Sequence, residues 1–547
     1  MKTKRQISFY KIKMVIVIIL LILTLGIFGL ILFYKLKNPF QVSIYNYESY
    51  LSKKIINDIK KKYSYHVFGE INEFTKAINT NKAVAGVGSD HQIAQLILEG
   101  KIKKLNLSKV YGKNISKEEI FKLYPKILQE HLNKYEQWIY NKIKEINPKN
   151  EIVYKRNSKI LQKPYLYYDK DNKDKIIGFE ADSREGIDHF YEYLIPYFMQ
   201  DKVIAYNINS KYRPHLKNIE SIKESLKGKE DWLSIIKTLV EKHNYRRVYW
   251  TNSFLDNSMI GQFYATETKK HNYMPDGKTL ENLNFNNYKE IFKYFFELVK
   301  QSTGHSIKDE QYNKLVTSGL ELVNDVIEPT STKADVSIMY NGDALDSFYA
   351  NDNFAKLQGQ QIDYVRPKNN YMLLDAWIVS SSTDDDASDR LLEYLNKVAI
   401  FGSTLNQSQL ENKYINSVYN DLVKANNNKK EEYAKNLFED SERKIVKKIE
   451  DIDKNFYKEN YETFMNNFDF VPSISNFNAV NYTPGFAETN KFLKRYYFKD
   501  EDKKDNEKAI SIFDIEGATN VIRQIYQPIN LKLRTEISDY YFENTKS

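Results

Sequence analysis

The stretch MVIVIILLILTLGIFGLILF, Met14 to Phe33, constrains the chain more than any other feature: 20 residues without a charge. As a helix it covers a hydrocarbon core of about 30 Å. Lys2, Lys4, Arg5, Lys11 and Lys13 precede it, and Lys35 and Lys37 come after it. That excess on the short N-terminal side predicts a cytoplasmic tail over 1–13, a single anchor over 14–33 and a linker over 34–41, with the remainder extracellular. The run is long for a signal-peptide core and no A-x-A site succeeds it, so an uncleaved anchor in the cell membrane is expected.

Beyond the anchor, 42 % hydrophobic and 28 % charged residues in a chain of 547 describe a folded globular protein. Tyrosine is so abundant, with 43 copies, that no single ring carries functional weight by itself. The net charge of +9 comes from Lys and Arg interleaved with Asp and Glu, with no basic block of the kind that grips nucleic acid, so no nucleic-acid partner is expected. Cysteine is absent, which excludes disulfides, thiolate metal sites, a Cys nucleophile and a lipid-acceptor Cys.

Residues 42 to about 102 alternate strand and helix. VSIYN, YSYHVFG and KAVAGVGS read as strands, and YLSKKIINDIKKK, INEFTKAINT and DHQIAQLILEGKI as the helices after them. That order predicts an α/β fold with a parallel sheet, whose ligands bind beyond the carboxyl ends of the strands. Residues 113–184 and 401–465 are charged, helical and insertion-like. Between them the strands resume in YEYLIPYFMQDKVIAYNI, RRVYWT, ADVSIMY, IDYVRP and YMLLDAWIV, with Asn341-Gly342 expected as a turn.

Enzyme signatures are missing: there is no H-E-x-x-H, no Walker loop and no G-x-S-x-G, and AGVGSD reads as a strand-to-helix turn with Ser89 or Asp90 as the cap. The chain therefore reads as a binding protein without a catalytic residue, metal or cofactor. What recurs is an aromatic ring beside an acid at strand ends: Tyr47 and Tyr50 with Glu48, Trp250 with Asp256, Tyr340 with Asp343, and Asp375 after NNYMLL. This pairing suits an organic cation, since a ring face attracts ammonium by about 0.5 to 2 kcal/mol and a carboxylate adds about 1.5 to 3 kcal/mol.

These segments resemble, in order, the bacterial spermidine/putrescine-binding proteins of polyamine ABC importers. VSIYNYESY is similar to that family's opening strand, which ends Y-N-W-x-x-Y. AVAGVGSDHQIAQLILEGKIKKLNLSKV is similar to its third strand and helix, YLIPYFMQDKVIAYN to its I-P-Y segment and SIMYNGDA to its W-N-G-S-A. IDYVRPKNNYMLLDAWIV, NYTP and the YQ of IYQPINLKL continue the match over about two thirds of the chain.

The resemblance implies a two-lobed type 2 periplasmic-binding-protein-like fold with helical insertions, preceded by one transmembrane helix. Its first lobe would comprise 42–204 and 371–547 and its second 205–370, with ligand held between them. It places box aromatics at Tyr47, Tyr50, Tyr340 and Tyr482, polar contacts at Ser89 and Gln527, and amine-binding carboxylates at Asp256 and Asp375. Five family positions differ here: an acid is Ser253, a Trp is Leu373, a box Tyr is His91, and two ring positions that are usually Trp are Tyr47 and Tyr340. Glu48 is expected to replace the missing acid.

The implied function is the extracellular substrate-binding component of an ABC importer, taking a polyamine or other small cationic solute and delivering it to permease subunits and their ATPase. Two alternatives stay open on the sequence: another small solute in the same fold, or a surface adhesin whose insertions meet a partner.

Overall fold

A computed structural model of the chain describes residues 2–37, 42–69, 71–112, 115–157, 161–181, 186–330, 332–350, 354, 357, 359–426, 429–437 and 448–546. The N-terminal segment is one helix, Lys2–Lys37. Its window Lys13–Leu30 has a mean hydropathy of 2.7 and packs against nothing among the described residues, so the helix is long and apolar enough to cross a membrane.

The described residues then form thirteen strands: β1 (Ser43–Tyr47), β2 (Ser64–Phe68), β3 (Ala83–Ser89), β4 (Tyr165–Tyr168), β5 (Ile176–Glu180), β6 (Ile195–Asn207), β7 (Val248–Thr251), β8 (Asn313–Val316), β9 (Val336–Tyr340), β10 (Ile362–Val365), β11 (Asn369–Val379), β12 (Thr483–Pro484) and β13 (Ile522–Gln524). β4 and β5 form a separate hairpin. The others make one sheet in the order β2-β1-β3-β11-β6-β9-β7-β8, with β10 and β12 also on β6 and β13 on β11.

That order is the same unit used twice. In the first half β1 lies between β2 and β3, all parallel, and β11 runs antiparallel beside β3. In the second half β7 lies between β8 and β9, all parallel, and β6 runs antiparallel beside β9. The two units are joined where β6 and β11 pair with each other. The expected two-lobed α/β fold is present, but the sheet is mixed rather than parallel. The alternation of strands and helices carries no information about β6 and β11, which enter from distant parts of the chain.

Length explains how two strands serve two halves. β6 has 13 residues, every one buried, and β11 has 11. Residues 195–201 of β6 pair with β11, and residues 202–206 pair with β9. The cores divide in step. Ile44, Val87, Leu132 and Trp377 belong to one cluster, Val203, Leu322, Ile415 and Phe477 to a second, and Ile204, Trp250, Phe295 and Tyr541 to a third.

Two insertion-like segments are core elements. Lys126–Ile146 buries Leu128, Leu132, Tyr135, Ile139 and Ile143 in the first cluster, and Gln407–Ala425 buries Leu410, Tyr414, Ile415 and Val418 in the second. Most buried apolar side chains described between Leu410 and Phe513, and those of the last helix, Leu531–Thr545, thus pack with β7–β9 and the helices around them, while Val480 and Phe486 join the first cluster; the expected boundaries grouped all of these with residues 42–204. Their connection through β12 and β13 runs to β6 and β11, which belong to both halves. Asn341-Gly342 is not a turn: it opens the helix Asn341–Tyr349, whose cap is Tyr340.

Candidate functional site

The carboxyl ends of β1, β3, β7 and β9 carry Tyr47, Ser89, Thr251 and Tyr340, and each leads into a helix N-terminus. Three of those helices have an acid in the first turn, Asp90, Asp256 and Asp343, where the dipole favours negative charge. The sheet order brings these ends to the β6–β11 junction.

Asp375 is the centre of the first-half side. It lies directly opposite Ser89 in the β3–β11 pairing, so both side chains leave the same face. The Ser89 hydroxyl donates to Asp375 Oδ1 at 2.6 Å, while Tyr50 Oη and Gln200 Nε2 donate to Oδ2, each at 2.7 Å. Ser89 is positioned as a helix cap, yet its hydroxyl makes no capping bond and serves the carboxyl instead. Tyr47 Oη is 2.8 Å from Ser89 Oγ and completes the ring of hydroxyls.

On β6 the register slips opposite Asp375 and Ala376, which pair with Phe198 and Pro196 and leave Tyr197 as the extra residue. Tyr197 uses that freedom to donate to the Tyr50 carbonyl at 2.6 Å. Among the described residues no basic side chain pairs with Asp375. Burial pushes its carboxyl up to about 7, against the hydrogen bonds from Ser89, Tyr50 and Gln200. Burial and the nearby Asp375 charge also hold Tyr47 and Tyr50 well above the ordinary tyrosine range, so both are donors at neutral pH.

The rings form a wall. Tyr50 meets Tyr47 edge-on at 5.4 Å, Tyr482 at 5.2 Å and Phe198 at 5.4 Å between centroids. Tyr482 comes from the segment before β12 and donates to Asp343 Oδ1. It can do so because residue 342 is glycine: a Cβ there would lie 2.2 Å from Tyr482 Cδ1. Burial raises the Asp343 carboxyl above its ordinary value, against Tyr482 and Lys202.

Asp256 is the centre of the second-half side. It accepts from Tyr526 Oη at 2.7 Å, from Ser253 Oγ at 2.9 Å and from Tyr340 Oη at 3.3 Å. Lys202 Nζ is 2.9 Å from its Oδ2. Ser253, standing where the resemblance has an acid, is the N-cap of Phe254–Glu267. Below the strands, Asp90 is bound by His131 Nε2 at 2.6 Å and by the Leu374 amide at 2.8 Å. Burial works to raise the Asp90 carboxyl, but His131 and His91 outweigh it and hold it at about 2. His91 itself packs 5.4 Å from the Tyr526 ring.

Seven of the nine expected residues, Tyr47, Tyr50, Ser89, Asp256, Tyr340, Asp375 and Tyr482, therefore line this junction. Glu48 does not. It lies exposed on the turn after β1, and among the described residues its side chain has no hydrogen bond or ion pair; alternation along the strand cannot aim a residue that has already left it. Gln527 also turns away, donating to the Leu280 carbonyl at 3.1 Å; its neighbour Tyr526 reaches the site instead. Trp250, paired with Asp256 by its spacing, is a core ring against Phe295. Gln200 and Lys202 escape sequence reasoning because both lie inside an apolar-looking strand whose pairing partners are remote in sequence.

No protein-family model matches the chain, and no curated protein matches it. Solved structures do. A putative spermidine/putrescine ABC transporter protein of Listeria monocytogenes is 12 % identical, over 92 % of this chain and 98 % of its own, with a TM-score of 0.44. A spermidine/putrescine ABC transporter substrate-binding protein of Streptococcus pneumoniae is 10 % identical over 92 % and 97 %, with a TM-score of 0.43. A solute-binding protein of Thermotoga lettingae bound with α-D-tagatose is 12 % identical over 64 % and 75 %, with a TM-score of 0.35. Likenesses at this level say nothing of cargo, and the fold rests on the strand pairing described above.

Proposed function

We propose that this chain is the solute-binding component of an ABC importer, held to the membrane by its N-terminal helix and facing outward. On this reading it captures a small organic amine at the β6–β11 junction and presents it to permease subunits with their ATPase. Spermidine and putrescine are the amines that the sequence resemblance suggests.

One observation carries the reading. Asp375 is 2 % exposed, held by three neutral donors and walled by Tyr47, Tyr50 and Tyr482, with no basic side chain paired to it among the described residues. A buried carboxylate is costly until a cation and hydrogen bonds compensate it. A primary ammonium supplies both, with ring faces adding about 0.5 to 2 kcal/mol. The halves are joined along β6 and β11, which is where a closing motion around a ligand would turn.

A thermal-shift series on the full chain in detergent, with putrescine, spermidine, a sugar and ferric citrate, tests it. Stabilisation by amines alone, about 3 kcal/mol at a hundredfold excess over Kd, supports the reading. Stabilisation by the sugar or the iron complex alone would overturn it.

A further inference from the structure

Lys202 has a side chain whose chemistry duplicates that of the proposed cargo, and it stands inside the junction. It lies on β6 directly opposite Tyr340 in the antiparallel β6–β9 pairing, so its side chain shares a face with that ring. Its ammonium is 3.4 Å from the Tyr340 centroid, 2.9 Å from Asp256 Oδ2 and 2.6 Å from Thr251 Oγ1. The side chain is 0 % exposed. An ammonium has three N–H donors; a carboxylate, a hydroxyl and a ring face account for all three.

The strand fixes this arrangement. Asn370 on β11 donates to the Lys202 carbonyl at 2.8 Å, and Asp201, one residue earlier, is clamped by Arg366 and Arg523. These contacts fix the Cα of Lys202 at the junction, so its side chain starts inside the box.

We propose that Lys202 is the box's own ammonium: it occupies the acid and ring face that a second cargo amine would need, so cargo is received through a single cationic head at Asp375. This deepens the amine reading above and rests on it. Charge counting gives the consequence. Asp256 is matched by Lys202, and a second cargo ammonium arriving there would meet a like charge in a dry site, where repulsion is strong. A diamine should therefore gain nothing over a monoamine of the same length beyond its two equivalent ends. Lys202 would be a specificity-determining residue that takes Asp256 out of the acids open to cargo, while Asp343 is engaged by the Tyr482 hydroxyl.

Calorimetric titration of the full chain in detergent, at pH 8 with n-butylamine and with 1,4-diaminobutane, reads the ratio directly. The wild type should bind the two within about twofold. Lys202→Met leaves Asp256 without its cation, and the ratio should move toward the diamine by about tenfold or more. Should Lys202→Met not fold, Asp256→Asn gives a second reading: the diamine-to-monoamine ratio should not change, because cargo does not use that carboxylate. A wild type that prefers the diamine by about tenfold, and loses the preference in Asp256→Asn, overturns the proposal while leaving the amine reading standing. A wild type that binds neither amine overturns both.

Discussion

Ser89 and Asp375 face each other across the antiparallel pairing of β3 and β11, and the hydroxyl donates to the carboxyl at 2.6 Å. The same kind of register sets Lys202 opposite Tyr340 in the other half. Strand pairing thus sets Ser89 beside Asp375 and Lys202 beside Tyr340, while Tyr50, Tyr482 and Tyr526 reach the junction from connecting segments and Asp256 from a helix start.

Replacing Asp375 by Asn keeps the shape and removes the charge. Hydrogen bonds to charged groups contribute about 1.5 to 3 kcal/mol, so amine affinity should fall by about tenfold to a hundredfold. Titration calorimetry of the variant against the wild type checks it.

The same carboxyl gives a pH dependence. Its folded pKa of about 7 lies above the unfolded value of about 3.9. The folded state therefore binds more protons between these values, and stability falls by about 1.4 kcal/mol per pH unit as pH rises from about 4 to 7, then levels. An ammonium cargo needs the ionised form, so affinity should instead rise about tenfold between pH 6 and 8. Denaturation and binding measured across this range should show opposite slopes, and Asp375→Asn should flatten both.

Asp201 holds β6 to two other segments. It is 0 % exposed and accepts from Arg366 Nε at 3.0 Å and Arg523 Nε at 2.9 Å. Asp201→Asn leaves two buried guanidinium groups without their counter-charge, and the expected loss is about 3 to 5 kcal/mol. Chemical denaturation measures it.

Gly342→Ala tests the wall. The new Cβ would collide with the Tyr482 ring, so Tyr482 must leave Asp343. Overpacking of this kind costs about 1 to 3 kcal/mol, and amine binding should weaken with it, as differential scanning calorimetry and titration would show.

Deleting residues 2–37 should release the protein from membranes while lowering its stability by less than about 0.5 kcal/mol, because Lys13–Leu30 buries nothing against the rest of the described chain. Membrane fractionation and a melting curve of the shortened protein decide it.

The first half is legible in the sequence because its pattern is local. VSIYN, YSYHVF and KAVAGVGS alternate with amphipathic helices, and β1, β2 and β3 form where the runs predict. The acids and rings at strand ends are legible for the same reason, since a turn or a helix start marks each strand's end. The antiparallel insertion of β6 and β11 is not. Both strands are buried on two faces, so they read as apolar runs with no period to reveal their neighbours. Lys202 is hidden by that rule: a lysine within MQDKVIA looks like a solvent-facing residue until β9 is laid beside it. Glu48 misleads in the opposite way, standing close to Tyr47 in sequence while the turn after β1 carries it outward.

Titration calorimetry of the full chain with n-butylamine at pH 8, run beside Asp375→Asn, asks directly whether Asp375 receives the amine. Saturable one-to-one binding is expected in the wild type, weakened about tenfold or more in the variant. Equal affinity in the two proteins would contradict it, because Asp375 would then not be the group that receives the amine.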